Sequence, residues 1–113
     1  MIEVLAAVFM TLPLTGYVTP YADGVMERVA ERRLAWGQVQ RQPEGVCLAA
    51  LNDPWHIGKW VTVTHAGGSA QCYVVDCARP DHAIERKMVS LVLELPPAWY
   101  AVIGRGPVSV RVH

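Results

Sequence analysis

Two runs rich in β-branched and aromatic residues, Trp60-Val61-Thr62-Val63-Thr64 and Gln71 to Asp76, stand on either side of His65-Ala66-Gly67-Gly68. Strand formers around glycine, which enters positive φ without a Cβ clash, specify an antiparallel hairpin. The chain has 113 residues, room for one core but not two, because each half would bury too little surface to offset its chain entropy. With 52% of residues hydrophobic and only 18% charged, disorder is excluded. The hairpin therefore belongs to a single folded domain.

The remaining segments add strands around it. Gly16 to Tyr21 reads as a strand ending near Pro20, and Val46 to Leu51 as a short one bounded by the Asn52-Asp53-Pro54 turn cluster. Met88 to Leu95 is a further apolar run, and Val108, Val110 and Val112 alternate through a closing strand from Pro107. Between the first two, Val25, Met26, Val29, Ala30 and Leu34 recur at helical spacing, with Asp23 as the expected N-cap and Trp36-Gly37 as the stop. Gln38 to Glu44 and the polar stretch Ala78 to Lys87 read as exposed loops. Pro96 and Pro97 suit the first turn of a short helix, Ala98 to Ile103, that ends at Gly104. The sum is mainly β: about six strands with one or two short inserted helices.

Ten basic and ten acidic side chains balance, so no net field attracts a polyanion and no nucleic-acid partner is expected. The basic runs Glu31-Arg32-Arg33 and Glu85-Arg86-Lys87 each carry their own acid and read as solvated faces. Cys47, Cys72 and Cys77 leave one thiol over in any pairing. Cys72 and Cys77 lie on one strand, roughly 16 Å apart and on opposite faces, so a bridge there is excluded. Either Cys47 pairs with one of the two, or all three are small buried hydrophobes. The cysteine spacing lacks the second close pair of a structural zinc site, and no phosphate loop or dinucleotide fingerprint is present, so neither metal nor cofactor is expected.

The stretch Val4 to Leu12 is apolar except for Thr11 and is too short to span a bilayer, which takes roughly 20 residues. Residues 1–15 read as an export signal or an extra N-terminal strand, with residues 1–14 also open to docking a protein partner. Residues 16–113 read as the folded domain.

The order of motifs carries a resemblance. Ala49-Ala50 is followed by Ile57-Gly58-Lys59-Trp60-Val61-Thr62-Val63-Thr64, by Gly67-Gly68, and by Tyr73-Val74-Val75-Asp76. Leu93-Glu94-Leu95-Pro96, a short helix, Gly104 and Gly106-Pro107-Val108-Ser109-Val110-Arg111-Val112 complete the order. Residues 16–21 and 45–112 together resemble the six-stranded double-psi β-barrels of rare lipoprotein A, the expansins and the barwin-like proteins. The resemblance implies an exported domain that binds or cleaves cell-wall glycan, peptidoglycan above all, with Asp76 as general acid and Glu94 as its partner. Tyr21, Trp55 and Trp60 would offer faces for sugar rings. The chain departs from that pattern at Leu51, where the lytic transglycosylases have a histidine, at Cys77-Ala78-Arg79-Pro80, where they have Arg-Gly-Pro, and at Glu94, where they have an aspartate.

Two carboxyl groups in one groove suit glycosidic chemistry. One protonates the leaving oxygen while charge builds on the ring; the other activates water, or is dispensable when the sugar's own hydroxyl attacks. The alternative is a non-catalytic barrel, a structural or protein-interaction module of an envelope or virion assembly. In that case Asp76 anchors backbone at a crossover and Glu94 stabilises the first turn of the following helix.

Overall fold

The computed structural model describes residues 12–113. Of residues 1–15, read as an export signal, an extra strand or a docking segment, residues 1–11 lie outside the described residues, and Leu14 and Thr15 lie in the first strand. Six strands are formed: β1 (Leu14–Pro20), β2 (Cys47–Leu51), β3 (Trp60–His65), β4 (Gly68–Cys77), β5 (Leu91–Leu95) and β6 (Val108–Val112). Three helices interrupt them, α1 (Val25–Ala35), α2 (Pro80–Met88) and α3 (Pro97–Ile103), with a single 3-10 turn at Pro54–His56.

The strands close into a barrel in the order β1-β5-β2-β4-β3-β6. The β1/β5 and β2/β4 pairs are parallel and the other four antiparallel. This is a mainly β, closed, six-stranded mixed barrel, compatible with the double-psi arrangement. The hairpin forms as its residues dictate. His65 pairs with Gly68, whose φ of 134° only glycine adopts readily, and β4 starts there rather than at Gln71.

Alternation along the strands builds the core. Val61 and Val63, Cys72 and Val74, Ala49 and Leu51, Leu93 and Leu95, and Val108 and Val110 fill the barrel. A second cluster lies on the outside of the wall, where α1 lays Met26 over Ala50, Tyr73 and Val75. Burying a side chain such as Met26, fully removed from solvent, stabilises the docking of α1 by about 2 kcal/mol.

Three local expectations are corrected. The stretch from Ala78 to Lys87 is not a loop: Pro80 to Met88 is helical, with Pro at the first position, Asp81 in the first turn and Arg86 and Lys87 in the last. Its polarity belongs to a helix that buries only Ala83. Asp23 does not cap α1; Gly24 holds that position in the left-handed region and no side chain caps the first turn. Met88 belongs to α2, and Ser90, with φ 58°, separates it from β5. Of the open cysteine pairings, Cys47 bridges to Cys72, because the parallel β2/β4 register sets them opposite each other with Cα atoms 4.6 Å apart. Cys77 is a free thiol.

Candidate functional site

A row of paired residues crosses four adjacent strands: Thr19 on β1 opposite Glu94 on β5, Glu94 opposite Ala50 on β2, and Ala50 opposite Asp76 on β4. Paired neighbours project from the same face of a sheet. Leu93 and Leu95 point into the core, so Glu94 points out. Asp76 reaches that face through an irregularity. Cys72 and Val74 face inward, and simple alternation would send Asp76 after them. A register shift between Ala49 and Ala50 sets Asp76, not Val75, opposite Ala50. At a strand spacing of roughly 4.8 Å, the two acids stand about 10 Å apart along the row, with one methyl group between them.

Each acid has an arginine. Asp76 accepts from Arg33 Nη2 at 2.8 Å on Oδ1 and from the Tyr21 hydroxyl at 2.6 Å on Oδ2. The other Arg33 amino group donates to Gln38 Oε1 at 2.8 Å. Glu94 lies 3.5 Å from Arg86 Nη1. Arg86 also donates from Nε to Asn52 Oδ1 at 2.8 Å, from Nη1 to Thr19 Oγ1 at 2.9 Å and from Nη2 to the Leu93 carbonyl at 3.4 Å. Asn52, the only buried polar residue among those described, donates in turn to the Leu91 carbonyl at 2.7 Å.

The electrostatics differ between the groups. Burial pushes the Glu94 carboxyl above the usual glutamate range; Arg86 pulls it back in part and Asp76 adds to the rise. Burial, and then the hydrogen bond to Asp76, push the Tyr21 phenol far above its ordinary value, so it stays a donor at all ordinary pH. Burial and the neighbouring Asp76 also raise the Cys77 thiol, which keeps it protonated and a poor nucleophile.

Of the residues singled out from the sequence, Tyr21, Asp76 and Glu94 meet on one face. Trp55 lies beyond them on the 3-10 turn, 64% exposed, with its ring 6.0 Å from Lys87 Nζ. Lys87 pairs in turn with Asp53 at 2.6 Å. Trp60, partly exposed, packs against Tyr73 with ring centroids 5.1 Å apart. Sequence reasoning missed Arg33, Arg86 and Asn52. The two arginines, read there as parts of solvated faces, have side chains only 19% and 14% exposed. A signal existed for Arg33: it stands four residues after Val29, on the buried stripe of its helix.

A separate cavity of about 400 Å³ lies between α1, the 39–46 segment and the start of α3, and neither acid lines it. Among the described residues no group of three His, Cys, Asp or Glu side chains is placed to hold a metal, and no helix is long and apolar enough to cross a membrane. The fold and this face define a closed mixed barrel with an arginine-braced pair of partly buried carboxylates. Compared with known proteins, the chain matches no family model, no curated protein and no solved structure.

Proposed function

We propose that the chain is an exported double-psi barrel, related in kind to rare lipoprotein A and the expansins, that binds cell-wall glycan at the face bearing Asp76 and Glu94. The observation that carries this reading is the pair itself: two carboxylates on one outer face of the barrel wall, 15% and 23% exposed, each held by an arginine. Ala50, 2% exposed, lies beneath α1, so a sugar would meet the exposed edges of Asp76 and Glu94 rather than the space between them. The buried Cys47–Cys72 bridge fits an oxidising compartment.

Within this reading the two acids divide their work. Asp76, already accepting on both oxygens, anchors Arg33 and Tyr21. Glu94, which burial favours in its protonated form, is the group suited to give a proton to a leaving oxygen. Peptidoglycan sacculi should pull down the wild-type chain, and Asp76→Asn or Glu94→Gln should each weaken retention by roughly tenfold. Muropeptide release, if it accompanies binding, should vanish in Glu94→Gln. A folded chain that neither sediments with sacculi nor releases muropeptides favours the second reading, a non-catalytic interaction module. One observation supports that module directly: both acids are already satisfied by arginines of the same chain.

A further inference from the structure

The cavity beside α1 has a chemistry of its own. Its floor is the outer face of β2 and β4, where Leu48 and Val75 point away from the core, and its walls include Ala30 and Leu34 of α1 and Trp99 of α3. At about 400 Å³ it has the volume of a small-molecule site, and Ala30, Leu34, Leu48, Val75 and Trp99 give it an apolar side. The rim is different. Glu27, Glu31 and Glu44 stand there against a single cation, Arg41. Arg41 is committed to Glu31, with contacts of 2.9 and 3.3 Å. Among the described residues, no cationic side chain lies within 4 Å of the carboxylates of Glu27 or Glu44.

We propose that this cavity binds an organic cation: a primary ammonium on an unbranched apolar stem, as a free alkylamine or a lysine side chain presents it. The stem displaces water from Leu48, Val75, Ala30 and Leu34, while the ammonium stays at the rim between Glu27 and Glu44. There a positive group gains Coulomb energy without full desolvation. An anionic ligand of the same length meets two unneutralised carboxylates, and a neutral one leaves both unanswered. Charge therefore selects the ligand, and the hydrocarbon floor holds it. The site is lined by neither Asp76 nor Glu94, so this inference is independent of glycan binding.

Titration of the ¹⁵N-labelled full chain with n-hexylammonium, 1-hexanol, hexanoate and blocked lysine (acetyl-lysine methylamide) tests it. Saturable amide shifts should gather at Ala30, Leu34, Leu48 and Ala98, with the ammonium roughly tenfold tighter than the alcohol and hexanoate weaker still. The double variant Glu27→Gln, Glu44→Gln, altered only at the rim, should bring the ammonium down to the affinity of the alcohol. Saturation by blocked lysine supports the site as a reader of peptide side chains; saturation by the free amine alone supports it as a small-amine site. Equal affinity for ammonium and alcohol, shifts centred elsewhere, or no saturable shift with any probe would each overturn the proposal.

Discussion

A single methyl group, that of Ala50, separates Glu94 from Asp76, and any larger side chain there would collide with Met26, which α1 lays over it. Glu94 makes the site sensitive to pH, and the sign follows from its environment. Burial raises its folded-state pKa above the unfolded value, so the folded chain holds the proton more tightly and protonation favours folding. That contribution is fully present below the ordinary glutamate value of about 4.3 and is lost as pH rises through the higher folded value. Glu94→Gln carries no such proton. Urea unfolding at a series of pH values should show the variant gaining on the wild type as pH rises from about 4 to 7. A constant difference across that range would show that Glu94 titrates as it does in the unfolded chain.

Helix α2 shows how an element can be hidden by its own composition. Ala78 to Lys87 contains proline, charges and a histidine, which reads as a loop, yet those residues sit where a helix tolerates them. Its attachment is polar rather than apolar, since Ala83 is its only buried residue and Arg86 reaches β1, β5 and the residue just after β2 at once. Arg86→Met should therefore loosen α2 more than the barrel. The expected cost is about 2–4 kcal/mol in urea, because buried Asn52 loses a partner and Glu94 loses its counter-charge. Hydrogen exchange should show α2 amides losing protection while those of β2 and β4 keep theirs relative to global unfolding. The hairpin and α1 were legible beforehand because their signals, a period of two and a period near 3.6, are local. The Arg86 network was not, because its partners lie 34 and 67 positions away in sequence.

For the molecule as a whole, closure and cross-linking act together. The bridge between Cys47 and Cys72 joins neighbouring parallel strands inside the core, across a sequence separation of 25 residues. Cys47→Ala combined with Cys72→Ala should lower stability by about 3 kcal/mol, chiefly by freeing the unfolded chain. Thiol labelling of the native protein should reveal one slow group, Cys77, and all three thiols only after reduction and unfolding. Prompt reduction of the bridge in the folded state would mean that the barrel opens locally far more readily than its packing implies.

Hydrophobic period and turn chemistry act over a few residues, so they are enough to set the number of strands, the hairpin, the first and last helices and the β-rich class. Which strands become neighbours is a matter of distant pairing. Only the closed barrel brings Asp76 and Glu94 onto one face, through a register shift that no local pattern announces. The same closure turns two arginines from apparent surface charges into the braces of that face. Their burial depends on what α1 and α2 are packed against, and that is settled by the completed fold.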